Sequence, residues 1–446
     1  MRKLFCLMFF ASLTAACGSD SVGTADVPQT GSAACSVDSQ KQFVLDALYD
    51  WYLWNDLLPA NINIADYASA EQLVFEVTTT FGPQDNNGDP IDFFSGVNSL
   101  QADTEFFGEG KFSGFGFSWR FVDQAQTDFR ITRTFFDSPA NRGGLERGQR
   151  VLSLNGRAVA DIAASEGISA FFANNDTVTF DVQPLVGNDF SSVIAKDIVT
   201  IDPVPRTRVI DAGNGRNVGY LELSSFISTA DPALGDAFAE FRNANVNELI
   251  LDLRYNGGGL VSTAELLGDY LGGSVAQNLI FSSTEFNADR ANNNRQKFFG
   301  LLSNSLNLSR LVVIASRGTA SASELVTNGM IPHVDVAIVG DRTFGKPVGQ
   351  SGFEFCDKLL RPTTFRLANA DGVGDYFDGL PVDCPAPDDL TTFVGDDDDP
   401  NMVAALTWLN TGACPVSAIA PSSLKSIQPA NQAVRQPAYR ELLDAY

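Results

Sequence analysis

The sequence predicts a multi-domain α/β protein, and three observations predict it. From about residue 195 onward, short apolar runs alternate with stretches of helical periodicity, the pattern of strands connected through helices. Ahead of that core, glycine-punctuated segments between 112 and 156 read as a β-rich unit. Ahead of that again, apolar residues recur at helical spacing from Ser39. With 446 residues, 44% of them hydrophobic, the chain is long enough for two or three units with sizeable cores.

The N-terminus reads as a targeting segment. Arg2 and Lys3 form a charged start, and Leu4–Leu13 an apolar run too short to span a bilayer. Thr14-Ala15-Ala16 and then Cys17 follow, an arrangement that resembles a bacterial lipoprotein signal. The resemblance implies a signal peptide over 1–17 with lipidation at Cys17. Gly18 rather than Asp after the cysteine points to the outer membrane of a bacterial cell envelope, facing the periplasm or the exterior. Residues 18–38 are expected to be a flexible tether, small and polar over 18–34. The membrane is thus expected to be contacted only through an N-terminal lipid anchor. The formal charge of −24 argues against nucleic acid as a partner, because phosphate binding needs basic patches.

Four cysteines remain beyond Cys6 and Cys17: Cys35, Cys356, Cys384 and Cys414. An even number in an exported chain suggests disulfides. Of the three pairings, Cys356 with Cys384 is the most economical, leaving Cys35 for Cys414. No CxxC spacing favours a metal, and neither metal nor cofactor is expected.

A helical region is predicted over 39–108, with Phe43, Ala47, Trp51 and Val44, Leu48, Tyr52 in i, i+4 rows. Its Asp85–Asp89 run reads as a turn, since Pro90 stands where a calcium loop needs glycine. At 112–117 the run Phe-Ser-Gly114-Phe115-Gly116-Phe117 is a glycine-flanked loop entering a strand, whose backbone N–H groups could take up a terminal carboxylate. In the core, Val218–Leu223, Leu249–Leu253, Leu311–Ala315 and Val336–Val339 read as buried strands. Ala322–Met330 reads as a helix, and residues 401–410 as a last one with Pro400 in its first turn. Asp396–Asp399 is expected to be a solvated loop.

The chemistry must manage almost without imidazole, because the only histidine is His333. A hydroxyl nucleophile needs a base within hydrogen-bond reach, and a lysine kept neutral by desolvation is the alternative. Lys346 fits, flanked by Phe344, Gly345, Pro347 and Val348. Ser321 stands at the start of the predicted 322–330 helix, within Thr319-Ala-Ser321-Ala-Ser323-Glu324. Ser323 is a rival that should point elsewhere, Glu324 is expected to cap the helix or face solvent, and His333 is read as structural. The strand 249–253 leads into Asn256-Gly257-Gly258-Gly259, where backbone can approach a ligand closely, as an oxyanion hole requires.

In combination these segments resemble the C-terminal processing, or tail-specific, peptidases, which are Ser/Lys enzymes. The Ser321–Lys346 spacing and Gln350, four residues past the lysine, carry the resemblance together with the glycine loop. The 112–117 loop, Ser138-Pro139-Ala140, Gly143-Gly144-Leu145 and Leu154-Asn155-Gly156 resemble a PDZ domain of bacterial proteases. The resemblance covers roughly residues 110–410. It implies a PDZ domain over 109–190 with Gly114, Phe115, Gly116 and Phe117 binding peptide, a peptidase core over 195–412, and a C-terminal extension over 413–446. It assigns Ser321 as nucleophile, Lys346 as general base, Gln350 as the residue orienting it, and the N–H groups of Gly258 and Ala322 as the oxyanion hole. The implied function is a serine endopeptidase acting on the C-termini of exported proteins or peptides. The alternative is an inactive PDZ-containing scaffold or binding protein. Two departures stand out: Pro347 where relatives usually have glycine, and Gly257-Gly258-Gly259 where they often have Pro-Gly-Gly.

Overall fold

The computed structural model describes residues 35–415. The signal segment, Cys17 and the end of the chain lie outside the described residues. The N-terminal part holds helices α1 (Val37–Trp51) and α2 (Ala70–Phe81), strand β1 (Gly96–Ser99) and helix α3 (Leu100–Glu109). Ser36 and Ser69 cap α1 and α2 by accepting from Ser39 N–H and Gln72 N–H, which satisfies first-turn amides. The predicted rows then do their work: Val44, Leu48 and Trp51 bury against Leu73, Val74 and Val77. Asp85–Asp89 is a turn, its Asp85 carboxylate accepting from the N–H groups of Asn87 and Asp89.

The β-rich part follows with β2 (Lys111–Gly114), β3 (Phe117–Phe121), β4 (Phe129–Thr134), the short α4 (Pro139–Arg142), β5 (Arg150–Leu154), β6 (Arg157–Ala158), α5 (Val159–Ser165), α6 (Ile168–Asn174), β7 (Thr177–Gln183), β8 (Phe190–Ala195) and β9 (Asp197–Thr200). The antiparallel order is β3-β4-β5-β7-β8, while β2 pairs with β9 outside that sheet. Asn155 and Gly156, at φ 51° and 73°, close the tight β5–β6 hairpin that needs positive φ at both central residues. Val178, Phe180 and Val182 alternate inward along β7.

The remaining elements are β10 (Arg206–Asp211), β11 (Asn217–Glu222), α7 (Ala230–Asn243), β12 (Glu248–Asp252), α8 (Val261–Ala276), β13 (Ile280–Phe286), β14 (Arg295–Phe298), β15 (Arg310–Ala315), α9 (Ala322–Met330), β16 (Asp335–Gly340), β17 (Val348–Gln350), β18 (Phe353–Phe355), β19 (Lys358–Arg361), β20 (Thr363–Ala368), β21 (Cys384–Pro385) and α10 (Pro400–Thr411). The central sheet runs β10-β11-β12-β15-β16-β21 and is parallel from β11 onward. Both its faces are covered, which is why its strands read as unbroken apolar runs. Leu249 and Leu251 face the cluster shared with α7, α8 and α9, while Ile250 faces the one that includes Met402 and Leu409 of α10. Two smaller sheets, β14-β13-β20-β17 and β1-β19-β18, carry the rest.

Two expectations are corrected here. The disulfides join Cys35 to Cys356 and Cys384 to Cys414, not Cys356 to Cys384. The N-terminal helices pack on Phe353, Phe355 and Leu360, which brings the start of α1 to the β18–β19 turn. Likewise α10 packs beside Cys384, so Cys414 just beyond its end meets β21. Short loop length is a poor guide when packing sets the neighbours. The Asp396–Asp399 run is not simply solvated. Asp396 and Asp397 pair with Arg206 and Arg208, and Asp399 is fully buried against Arg254.

Candidate active site

Ser321 sits between β15 and α9 with φ 55° and ψ −116°, a left-handed conformation that a residue bearing a Cβ adopts at about 1–3 kcal/mol. The surrounding loop is fixed from both sides. Thr319 Oγ1 donates to Leu253 O at 2.8 Å, and Ala320 N–H donates to Asn256 O at 3.2 Å. Phe344 N–H donates to Thr319 O at 2.9 Å. The loop before α9 is thereby tied to the end of β12 and to the segment carrying Lys346. Ser323 is fully buried and its Oγ donates to Asn256 O at 2.9 Å, so the rival hydroxyl is occupied in the core.

Gly258 lies directly against the serine. A Cβ there would fall 2.8 Å from Ser321 Cβ and 2.9 Å from Ala322 N, and its φ of 104° also demands glycine. Its amide differs from expectation, because it donates to Asn256 Oδ1 at 2.9 Å. Asn256 Nδ2 in turn holds Leu223 O at 2.8 Å. Ala322 opens α9, where first-turn amides have no intrahelical acceptor.

Lys346 is 7% exposed, and its Nζ donates to Gln350 Oε1 at 2.9 Å. Gln350 Nε2 is committed to Phe94 O at 2.9 Å and Arg361 O at 2.8 Å, which leaves its oxygen to face the lysine. The Phe94 ring lies 4.6 Å from Nζ, so the N-terminal part of the chain closes over the lysine.

Glu324, expected to cap the helix or face solvent, does cap α9 through the Ser321 N–H, but it is fully buried and joins the two halves. One carboxylate oxygen accepts from Thr343 Oγ1 at 2.5 Å and Gly345 N–H at 2.7 Å, the other from Ser321 N–H at 2.9 Å and Lys346 N–H at 2.8 Å. Burial pushes its carboxyl up, and the hydrogen bonds from Thr343, Lys346, Gly345 and Ser321 offset that only in part. The Ser-x-x-Glu spacing of a capping box was the signal available in the sequence.

Other predicted residues lie apart from this centre. His333 follows the far end of α9, where Nε2 meets Ile280 O at 2.9 Å and the ring packs edge-on to Phe299. In the 114–117 loop, Phe115 and Phe117 are buried among Phe172 and Phe180, so any peptide contact must come from the main chain. Gly116, at φ 82°, packs on Ser138, whose Oγ donates to Gly116 O at 2.9 Å.

Sequence reasoning missed a second buried network. Tyr255, at φ 71° beside the glycine loop, donates to Asp388 and accepts from Arg147 Nη1 at 2.6 Å. Arg147 Nη2 and Arg120 Nη1 reach Asp388 at 2.6 and 2.8 Å, joining the β-rich part to the core. Arg254 bridges Asp252 at 2.8 Å and Asp399 at 2.5 Å. Burial works against the Asp388 charge, but the Arg147, Arg120 and Arg254 guanidiniums outweigh it and hold that carboxyl well below the usual range.

The loop before α9, the glycine turn and the segment carrying Lys346 thus meet around Ser321 and Glu324, and comparison with known proteins adds what the chain is similar to. The model of peptidase family S41 matches residues 217–381, and that of the peptidase S41 N-terminal domain matches residues 39–113. Together they take in more than half of the chain, which belongs to peptidase family S41, the family of the C-terminal processing peptidases. The carboxyl-terminal-processing protease of Synechocystis sp. is 26% identical over 253 residues, 56% of this chain and 56% of that protein. The carboxy-terminal processing protease CtpA of Bacillus subtilis is 24% identical over 258 residues, 56% of this chain and 52% of that protein. The chain spans about half the length of the curated relatives it matches. Among solved structures, a Bacteroides fragilis protein assigned to the S41 proteases shares the fold with a TM-score of 0.64 at 23% identity, covering 82% of this chain and 97% of that one. The photosystem II D1 C-terminal processing protease shares it with a TM-score of 0.52 at 20% identity, covering 85% and 99%. Among the described residues no helix is long and apolar enough to cross a membrane.

Proposed function

We propose that this chain is a serine endopeptidase that cleaves exported proteins near their C-termini, with Ser321 as nucleophile and Lys346 as general base. The observation that carries the reading is the placement of Ser321 at a strained turn opening α9, with its amide and that of Lys346 on one carboxylate oxygen of Glu324. In the reaction, Ser321 Oγ attacks the scissile carbonyl as its proton passes to neutral Lys346 Nζ. The ammonium then protonates the departing amine, leaving an acyl-enzyme that water hydrolyses with the lysine again as base. Gln350 is the positioning residue, since its Oε1 accepts from Nζ while its amide is anchored elsewhere. Ala322 N–H, at the positive end of α9, serves the oxyanion. Gly258 N–H joins it by exchanging its bond to Asn256 Oδ1 for the developing charge.

The β-rich part, in this reading, is a PDZ domain whose 114–117 main chain receives the substrate C-terminus. Cys17 carries the lipid that holds the protein in the bacterial envelope, and no cofactor takes part. The names of the Synechocystis and Bacillus relatives support C-terminal processing as the activity. Ser321→Ala and Lys346→Ala should each abolish hydrolysis of unfolded reporter proteins, at least about a thousandfold for removal of a nucleophile or its base. A serine-reactive phosphonate should label wild type at Ser321. Full activity in Lys346→Ala would overturn the mechanism, and an unlabelled, inactive wild type would favour a scaffold.

A further inference from the structure

Three phenyl rings stand beside the reacting groups without being sealed into a core. Phe93 is 42% exposed, and its ring rests against two others. Its ring lies 4.4 Å from that of Phe94 and 6.1 Å from that of Phe344, and the Phe94 and Phe344 rings are also 6.1 Å apart. Phe94 and Phe344 are themselves only partly buried.

The turn that presents Phe93 and Phe94 is over-determined. Asp92 is fully buried, and its Oδ1 accepts from Phe94 N–H at 3.0 Å, Ser95 N–H at 3.1 Å and Thr363 Oγ1 at 3.1 Å. Its Oδ2 accepts from Ser95 Oγ at 2.6 Å. Such a network fixes a backbone that keeps apolar surface in water, which folding alone does not favour. The wall is also continuous with the chemistry. Phe94 contacts Lys346 Nζ and holds Gln350 through its carbonyl, while Phe344 is bonded to Thr319, two residues before Ser321.

Resting on the endopeptidase reading, we propose that Phe93, Phe94 and Phe344 form an apolar subsite. Its occupant is a large apolar side chain of the substrate, Leu or Phe, on the residue whose carbonyl Ser321 attacks. Aromatic rings offer area and shape but no hydrogen bonds, so this subsite selects by size and apolarity and rejects carboxylates and amides, which would lose water without gaining a partner.

The test uses the wild-type chain and a set of otherwise identical peptides with Leu, Phe, Ala, Ser or Asp at that position, read by mass spectrometry. Leu and Phe peptides should exceed Ser and Asp peptides in kcat/KM by about 10- to 100-fold, the range open to a hydrophobic pocket. In Phe93→Ser the ratio should fall at least fivefold, chiefly through KM, and Phe93→Leu should restore it for the Leu peptide. Labelling of Ser321 by a small fluorophosphonate, which has no side chain for the wall, reports separately that the reactive centre is intact. A wild type that is labelled and cleaves all five peptides alike overturns the subsite alone. So does a Phe93→Ser enzyme with an unchanged ratio. A wild type that is neither labelled nor active overturns the endopeptidase reading, and the subsite with it.

Discussion

Glu324 and Asp388 are two carboxylates withdrawn from water and handled in opposite ways. Asp388 is answered by guanidinium groups of Arg147, Arg120 and Arg254 from two parts of the molecule. The four hydrogen-bond donors of Glu324 carry no formal charge, and three are backbone amides. The consequence shows in their acidity. Attraction to cations pulls Asp388 down, whereas burial pushes Glu324 up. The difference teaches what each solution is good for. Long guanidinium side chains reach across an interface and tolerate small displacements, so they suit docking of the β-rich part. Amide donors are fixed to the peptide plane, so a carboxylate bonded to three of them fixes the relative position of two backbone segments. Glu324 does so for the two segments that carry Ser321 and Lys346.

The largest effect expected from breaking this contrast is at Glu324. In Glu324→Ala the amides of Ser321, Gly345 and Lys346 lose a buried acceptor, each costing about 1–3 kcal/mol. Phosphonate labelling of Ser321 should fall at least about a hundredfold, which corresponds to some 3 kcal/mol in the barrier. Glu324→Gln keeps the shape but turns an NH₂ toward N–H donors, and should lie between Ala and wild type. A positioning role requires the loss in kcat with KM nearly unchanged. An Ala variant with wild-type labelling would remove Glu324 from the site.

Asp388→Asn should act on stability instead. It leaves Arg147 and Arg120 without their anionic partner, and breaking a buried pair costs about 3–5 kcal/mol. Thermal unfolding should drop accordingly, and limited proteolysis should cut the β-rich part first. The fraction that stays folded should retain phosphonate labelling within about fivefold, a ratio well below the Glu324→Ala effect. Equal loss of labelling in the two variants would erase the distinction between a docking and a positioning carboxylate.

How much of this was legible beforehand follows the physics of range. The parallel strands and α9 could be read because their signals are local, in runs of apolar residues and in a helix opening just after Ser321. Ser321, Lys346 and Gln350 were singled out through their spacing, and the structure brings the lysine and glutamine together. Glu324 had a local signature and its capping of α9 was foreseen, but not its burial, because nothing in sequence says that the Thr343–Lys346 segment arrives above it. Phe94, Asp388 and the true cysteine pairs depend on contacts between residues some 30 to 320 positions apart. Such contacts are set by how units dock and leave no periodic trace.

The smallest effect, and the one that compares the two carboxylates in a single experiment, is the pH dependence of stability. Asp388 has its folded pKa lowered, so its contribution is present above the ordinary carboxylate range and is lost as pH falls through that range toward the folded value. Glu324 has its folded pKa raised, so the folded protein binds that proton more tightly than the unfolded chain. Its contribution therefore grows as pH falls toward the ordinary carboxylate range, and has the opposite sign. Thermal unfolding between neutrality and about pH 4, the region where unfolded carboxyls titrate, should separate them. Relative to wild type, Glu324→Gln should lose stability as the pH is lowered from neutrality. Asp388→Asn should instead recover part of its deficit, but only at the acid end, where the wild-type carboxylate is itself being neutralised. Parallel curves for the two variants would mean that both carboxylates are held by the same balance of burial and charge, and the distinction drawn from their partners would fail.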